Sequence, residues 1–230
     1  MSSKTFPTSE LERTLFSSGV RYLISIDEVG RGALAGPVAV GAVLIDSSIN
    51  LDGFPKTLQD SKLMTEPQRE AIFDELRECV TASSVGEASA VEIDRIGIVA
   101  ALSLAANRAI ELLLAQVLEL DIDKTSTRII LDGTHDWLSQ SSGFGVVVRA
   151  KADRDCVSVA AASVIAKVHR DRLMVGMHED YPEYGFAGHK GYGAASHIEA
   201  IRAHGPRSVH RSTWLGKILG DGMLPELENF

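Results

Sequence analysis

The chain has little of what would place a protein outside the cytosol or in a membrane. Its 230 residues include only two cysteines, Cys79 and Cys156, whose spacing matches no common metal-binding pattern. With 45% hydrophobic residues the chain can build a core without disulfides, so we expect both thiols to be reduced. The N-terminal residues lack the apolar stretch of a signal peptide, and no apolar run is long enough to cross a bilayer. These absences predict a cytoplasmic protein without membrane association.

A net positive charge, which is common in nucleic-acid-binding proteins, is also absent, because the formal net charge is −8. The charge is unevenly distributed, however. Residues 149–217 contain 11 Lys and Arg against 7 Asp and Glu, together with six of the seven histidines. A basic segment on an acidic protein can hold a phosphate backbone. A solvated basic face would explain the same charges equally well, so charge alone does not decide between the two interpretations.

Apolar periodicity predicts an α/β protein. Strands are predicted at 22–27, 37–45, 83–90, 127–133 and 144–151, and helices at 65–80, 98–118, 156–174 and 196–204. This order indicates a mixed sheet flanked by helices, with a helical C-terminal part. We divide the chain into an N-terminal extension (1–20), one domain that includes the helical C-terminal part (21–217), and an acidic tail that we expect to be disordered (218–230).

Two adjacent carboxylates, Asp27 and Glu28, end the first predicted strand and precede Gly30, Arg31 and Gly32. Carboxylates beside a core are costly to bury unless they coordinate a cation. Glycines let the backbone approach a ligand closely, and arginine offers a planar fork of donors to a phosphate. An acidic strand end before a flexible turn is the alternative interpretation, and this segment alone does not decide between them.

Two further carboxylates lie at the ends of apolar segments. Asp132 ends the strand IILD before Gly133, and Asp153 precedes an alanine-rich helix. Each has an ordinary explanation, because Asp-Gly often forms a turn and an aspartate often caps a helix, where Asp155 competes with Asp153. Open α/β proteins place ligands at the edge of the sheet where such strand ends meet. The carboxylates could therefore converge on one site.

An aromatic and basic segment follows. It contains YPEYGF at 181–186, HKGYG at 189–193 and HRS at 210–212. Aromatic rings among lysine, arginine and histidine suit stacking on bases and contact with phosphates. A surface loop with packed tyrosines is the simpler interpretation of this segment when it is taken alone.

Taken together, these motifs resemble ribonuclease HII. With QDSKL at 59–63, KAD at 151–153, SVAAASVIAKVHRD at 158–171 and HGPRSVHRS at 204–212, they occur in that family's order over residues 22 to about 214. The resemblance implies a ribonuclease H-like fold with a mixed five-stranded sheet, flanking helices and a helical C-terminal part. It implies an endonuclease that acts on RNA–DNA hybrids and on DNA duplexes with embedded ribonucleotides, and we expect the protein to be a monomer. Cleavage on the 5′ side of the ribonucleotide would leave a 3′-hydroxyl and a 5′-phosphate.

The resemblance also implies a two-metal site for Mn²⁺ or Mg²⁺, formed by Asp27, Glu28, Asp132 and Asp153. We expect Asp27 to bridge both ions, because its strand should be central in the sheet. The family's glycine-arginine-glycine motif grips the ribonucleotide and senses its 2′-hydroxyl, and its tyrosine reads the junction with DNA. In this sequence the expected substrate contacts are Gly30, Arg31, Gly32, Lys62, His189, Lys190, Tyr192 and Arg211.

The chain departs from the family pattern beside Asp153, where Ala152 and Arg154 replace the usual glycine and serine. Asp155 therefore stays open as an alternative. Three other functions were weighed. Ribonuclease HIII normally lacks an arginine at the position of Arg31, a non-catalytic binder gains nothing from four carboxylates, and a phosphatase acting on small esters leaves the aromatic and basic segment without a role.

Overall fold

The computed structural model describes residues 6–219, and in that part of the chain five strands form one mixed sheet. They are β1 (Tyr22–Val29), β2 (Val38–Asp46), β3 (Ala82–Ala88), β4 (Thr127–Asp132) and β5 (Gly145–Arg149). Their order across the sheet is β3-β2-β1-β4-β5. The β1-β2 and β2-β3 pairs are antiparallel, whereas β4 runs parallel to both β1 and β5. The predicted mixed five-stranded sheet is confirmed, and β1 is its central strand.

Helices cover both faces of the sheet and form the C-terminal part. They are α1 (Glu10–Ser17), α2 (Glu66–Glu78), α3 (Ala90–Ile96), α4 (Ile98–Leu114), α5 (Ser139–Ser142), α6 (Ala152–Asp155), α7 (Val157–Asp180), α8 (Phe186–His189), α9 (Ala195–His204) and α10 (Gly216–Leu219). The long helices α4 and α7 lie on opposite faces. Within residues 6–219, no helix combines the length and the apolar character that crossing a membrane requires.

Successive side chains of β1 point to opposite faces of the sheet, so each face carries a different set of residues. Leu23 belongs to the core beneath α7, and the Ser25 hydroxyl bonds to a serine of that helix. Ile24 and Ile26 belong to the core beneath α4. Because side chains two residues apart share a face of a strand, Asp27 continues the row that faces α7.

Helix α7 can approach the sheet closely because small residues meet where it crosses the strands. A Cβ atom added to Gly41 of β2 would lie only 2.5 Å from the carbonyl oxygen of Ala162. Any larger residue at position 41 would therefore push the helix away from the sheet. The next residue of α7, Ser163, is also buried, and its hydroxyl donates to that of Ser61 at 2.8 Å.

Several predicted boundaries differ from those in the structure, and three of them have a clear physical reason. Helix α4 ends at Leu114 instead of residue 118, and Leu118 is 85% exposed, so apolar character alone extended the prediction too far. Helix α7 continues to Asp180 rather than ending at 174, since charged residues on its outer side do not stop a helix. Strand β5 ends at Arg149 because the chain then turns into α6.

The predicted N-terminal extension does not stand apart from the domain where the structure describes it. Leu11, Leu15 and Phe16 of α1 pack against the core beneath α7. Residues 1–5 lie outside the described part of the chain. The predicted acidic tail, 218–230, also lies outside it apart from its first two residues.

Candidate active site

Three carboxylates converge at one edge of the sheet. Asp27 lies near the end of β1, Asp132 ends β4, and Asp153 lies in the short helix α6. One oxygen atom from each lies within 4.8 Å of an oxygen atom of the other two. The β1 and β4 strands are paired in parallel up to the residues just before Asp27 and Asp132, so these two side chains emerge side by side. Three distant parts of the chain thereby form one acidic cluster, which we call the carboxylate cluster.

A tight turn brings Asp153 to the cluster. After β5 the chain reverses at Lys151, whose φ of 62° is in the left-handed region. The N–H of Ala152 then donates to Asp132 Oδ1 at 2.6 Å, which ties the start of α6 to the end of β4. Asp153 is buried there among the other carboxylates.

Asp155, the alternative to Asp153, points elsewhere. Its carboxylate forms salt bridges with Arg149 at 3.2 Å and with Arg154 at 2.9 Å. These arginines lower the pKa of Asp155, with the hydrogen bond from Arg154 as the main cause. The geometry therefore places Asp153 in the cluster and Asp155 outside it.

Glu28 lies at the rim of the carboxylate cluster and is not one of its three members. As the residue after Asp27 on β1, it projects toward the opposite side of the strand. Its Oε1 atom lies 3.3 Å from the Arg31 guanidinium. Burial raises the pKa of Glu28, the charge of Arg31 opposes this rise, and the charge of Asp132 adds to it. Glu28 is therefore electrically coupled to the cluster while it is paired with Arg31.

Burial and neighbouring charges disfavour the charged form of two members of the cluster, Asp27 and Asp132. Asp27 is only 2% exposed, and burial, followed by the neighbouring charge of Glu28, raises its pKa well above the ordinary value. Burial and the charge of Asp153 raise the pKa of Asp132. Such a cluster is stable in its ionised form only when a cation compensates its charge.

A lysine side chain reaches the cluster. The Nζ atom of Lys62 lies 3.0 Å from Asp153 Oδ2. Burial lowers the pKa of Lys62, but the charge of Asp27 and the hydrogen bond to Asp153 outweigh it, so the pKa is raised overall. The cluster presents only carboxylate oxygens, which are the donors that Mg²⁺ and Mn²⁺ prefer. The donor set therefore fits a hard divalent cation.

The loop that contains Gly30, Arg31 and Gly32 lies beside the cluster and touches Tyr192. The Gly30 N–H donates to the Tyr192 hydroxyl at 3.2 Å. Gly30 has a φ of +81°, and an added Cβ would lie 2.1 Å from Arg170 Nε, so only glycine fits here. Tyr192 is 36% exposed, and Arg31 is exposed as well. The structure thus brings the predicted loop and the predicted tyrosine together at the surface.

Arg211 does not lie at the surface, contrary to the predicted substrate contact. Its side chain is fully buried. Its guanidinium donates to the carbonyl oxygens of Gly30, Arg31 and Gly36, at distances from 2.6 to 3.3 Å. A donor set that is already used by backbone carbonyls and closed to solvent cannot also bind a phosphate. Arg211 therefore supports the loop of Gly30, Arg31 and Gly32, which we call the glycine loop, from its buried side.

Lys190 and His189 are also turned inward, although they were predicted as substrate contacts. Lys190 is buried, its ammonium donates to the carbonyl of Ala187, and it lies 3.4 Å from a carboxylate oxygen of Glu66. His189 is half-buried, and its imidazole bonds to the carbonyl of Tyr184 at 2.7 Å. Both residues brace the fold of their own segment.

The sequence reading missed Arg170, a second buried arginine behind the same loop. It donates to the carbonyl oxygens of Pro37, Lys190 and Ala35, and its guanidinium lies 5.5 Å from the centre of the Tyr192 ring. A signal for it was present, because Ala166 and Met174, four residues to either side on α7, are both apolar. A charged residue on the apolar stripe of a helix needs internal partners.

Comparison with known proteins identifies the family. The family model described as Ribonuclease HII matches residues 24–217. The chain belongs to the ribonuclease HII family. Ribonuclease HII of Streptomyces avermitilis is 40% identical over 236 residues, which cover 96% of this chain and 95% of that protein. Ribonuclease HII 1 of Methylibium petroleiphilum is 41% identical over 82% of this chain and 87% of its own length.

A solved structure agrees with the family assignment. Ribonuclease H2 from Pyrococcus horikoshii matches with a TM-score of 0.63 and 28% identity, covering 86% of this chain and 97% of that chain. The predicted ribonuclease H-like fold and the predicted family are therefore confirmed. As a ribonuclease HII, the chain is an endoribonuclease H, a hydrolase that acts on RNA–DNA hybrids. The family uses divalent metals, and the carboxylate cluster is compatible with them.

Proposed function

We propose that this ribonuclease hydrolyses the phosphodiester on the 5′ side of ribonucleotides embedded in DNA or in RNA–DNA hybrids, leaving a 3′-hydroxyl and a 5′-phosphate. It would use two Mg²⁺ or Mn²⁺ ions held by Asp27, Asp132 and Asp153, with Glu28 joining from the rim. The observation that carries the proposal is the convergence of three carboxylates from separate parts of the chain within 4.8 Å. Four carboxylates would balance the charge of two such ions.

When bound, two such ions would supply an activated water for in-line attack and would stabilise the leaving oxygen. Asp27 is the residue best placed to contact both, because it lies on the central strand with Glu28 beside it on the chain and Asp132 on the next strand. Lys62 would keep its positive charge near the reacting phosphate, since its pKa is raised. The nucleophile is water, so the 2′-hydroxyl of the substrate serves recognition.

Contact between the glycine loop and Tyr192 supports recognition of an RNA–DNA junction. The 2′-hydroxyl is both a donor and an acceptor, and it distinguishes RNA from DNA. Backbone groups around Gly32, which is exposed and where an added Cβ would enter open space, could reach it because no side chain stands in the way. Tyr192 lies within hydrogen-bond distance of Gly30, so its ring would meet the sugar of the following deoxynucleotide. Arg31, which is exposed, would contact a phosphate.

Cleavage of a labelled DNA duplex that carries one ribonucleotide tests this proposal. The matched controls are the same duplex without the ribonucleotide and the same reaction with a chelator. We expect a single nick 5′ to the ribonucleotide with Mg²⁺ or Mn²⁺, and none in either control. A polymerase should extend the new 3′-hydroxyl directly.

Three outcomes would contradict the proposal. Cleavage of long hybrids without cleavage at the single ribonucleotide would refute the junction readout. Cleavage that persists with chelator would refute the metal requirement. A cyclic 2′,3′-phosphate product would show that the 2′-hydroxyl is the nucleophile.

A further inference from the structure

A fully buried carboxylate lies outside the active site, on α1. Glu12 accepts two hydrogen bonds at Oε1, from the N–H of Ser158 at 3.0 Å and from its hydroxyl at 2.7 Å. Within residues 6–219, its other oxygen, Oε2, accepts no hydrogen bond. Burial raises the pKa of Glu12. Burying a carboxylate with one unbonded oxygen is costly, and an apolar side chain would fill the same space at lower cost.

The position of Ser158 explains what Glu12 does locally. Ser158 is the second residue of α7, and the first N–H groups of a helix have no acceptor inside the helix. The N-cap residue, Cys156, provides no side-chain hydrogen bond to them. Glu12 supplies the missing acceptor from a separate helix, and its negative charge suits the positive end of the helix dipole.

The hydroxyl of Ser158 extends this contact to the central strand. The Ser25 hydroxyl donates to Ser158 Oγ at 2.7 Å. Ser25 lies two residues before Asp27 on the same face of β1, and Ser158 lies five residues after Asp153. A continuous buried chain of hydrogen bonds therefore joins the two segments that carry these carboxylates.

The backbone of the N-terminal segment holds the same region. The N–H of Thr8 donates to the carbonyl of Asp155 at 3.0 Å, and the carbonyl of Thr8 accepts from the N–H of Val157 at 3.0 Å. These two bonds fix the connection between α6, which carries Asp153, and α7. The N-terminal segment thus fastens this connection through its backbone as well as through Glu12.

We propose that Glu12 is a positioning residue for the metal site. Through the serine pair it fixes the spacing between Asp27 and Asp153, and residues 8–17 act as a clamp on the catalytic domain. The inference rests on the proposed metal role of the carboxylate cluster. Residues 8–17, which the sequence alone identified only as part of an N-terminal extension, would then help to hold the metal ligands in place.

Calorimetric titration of the full chain with Mn²⁺ alone tests the inference without relying on catalysis. The variants are Glu12→Ala and Glu12→Gln, and the matched control is Glu10→Gln, an exposed residue of the same helix. Loss of a residue that orients a metal ligand typically weakens metal affinity by about tenfold or more, which is the change expected for Glu12→Ala. Glu12→Gln keeps an acceptor oxygen and should recover most of the affinity. Glu10→Gln should bind as the wild type does.

The same titration in an Asp153→Asn background separates positioning from general damage. There, Glu12→Ala should weaken Mn²⁺ binding no further, because the ligand that Glu12 positions is already lost. Ser25→Ala, which breaks only the link to β1, should show a smaller loss in the wild-type background and replaces Glu12→Ala if that variant does not fold.

A purely structural role of Glu12 would mean that Glu12→Ala loses stability but keeps its Mn²⁺ affinity. Thermal unfolding in chelator measures that loss of stability. Wild-type Mn²⁺ affinity in a destabilised Glu12→Ala would overturn the positioning role, as would an equal loss in both backgrounds. If Asp27→Asn and Asp153→Asn bind Mn²⁺ as tightly as the wild type, the proposed metal site itself fails. If those two variants lose affinity and Glu12→Ala does not, only the positioning role fails.

Discussion

The carboxylate cluster and the C-terminal segment, by which we mean the aromatic and basic residues 181–212, both concentrate charge, but the charges have opposite roles. In the cluster, carboxylates face one another, and burial and the charges of neighbouring carboxylates raise the pKa values of Asp27 and Asp132. In the C-terminal segment, Arg211 and Lys190 are buried with their donors bonded to backbone carbonyls. Internal partners satisfy these cations, whereas the three carboxylates of the cluster outnumber the single ammonium of Lys62 beside them and fit a divalent cation. The comparison separates residues that are available to a ligand from residues that support the fold.

The largest effect should follow from removing a charge in the cluster. Asp27→Asn takes away the proposed bridging ligand, and we expect activity to fall by about a thousandfold or more. The same change relieves repulsion among buried carboxylates, so thermal stability in chelator should stay equal or rise. Activity and unfolding measured on one preparation would check this. A marked loss of stability together with retained activity would contradict the assignment.

Removing a buried cation from the C-terminal segment should instead lower stability. Arg211→Ala leaves several carbonyls of the glycine loop without donors, and we expect a loss of about 3 kcal/mol in the free energy of unfolding. The exposed Arg202→Ala is the matched control and should change stability by less than about 0.5 kcal/mol. Denaturant unfolding measures both. Equal effects of the two variants would refute the supporting role of Arg211.

The buried histidines of the C-terminal segment should make stability depend on pH. Burial, followed by the neighbouring His197, lowers the pKa of His210 from 6.5 to about 4. Between those values the unfolded state binds more protons than the folded state, so stability should decrease as pH falls from 6.5 to 4. The loss attributable to His210 is about 2–3 kcal/mol. In denaturant unfolding across this range, His210→Asn should show a shallower decrease and the exposed His135→Asn should match the wild type. Parallel curves for all three proteins would contradict this.

The smallest effect is expected at Lys62, which combines features of both regions. Its ammonium contacts the cluster at Asp153, but most of its side chain is exposed. Lys62→Ala should lower activity by about tenfold and leave stability nearly unchanged. Lys56→Ala, an exposed lysine of the same loop region, is the control for activity. Wild-type activity of Lys62→Ala would exclude a role for Lys62 at the phosphate.

The sheet and the carboxylates could be predicted because their signals are local. Apolar strands that end in Asp27 and Asp132 are recognisable in the sequence, and parallel pairing then brings their ends together. The direction of a side chain in an irregular segment is not a local property. Arg211 and Lys190 are of the residue types that form phosphate-binding surfaces, yet the backbone around them turns both side chains inward. Composition does not determine which side of a loop faces solvent.

The task of the N-terminal segment could not be predicted for a related reason. Glu12 and Ser158 are separated by 146 residues, and only the folded sheet brings them together. In the sequence Glu12 is an ordinary charge in a short polar segment before the first strand. Likewise, the choice between Asp153 and Asp155 depended on the turn at Lys151, which sends one carboxylate inward and the other toward arginines.

The central claim is that the carboxylate cluster holds the metal ions of the reaction. The most direct measurement is the anomalous scattering of Mn²⁺ in crystals of the protein soaked with the ion. The account predicts two Mn²⁺ peaks about 4 Å apart in contact with Asp27, Asp132 and Asp153. Mn²⁺ peaks elsewhere on the molecule, with none among these three carboxylates, would contradict it.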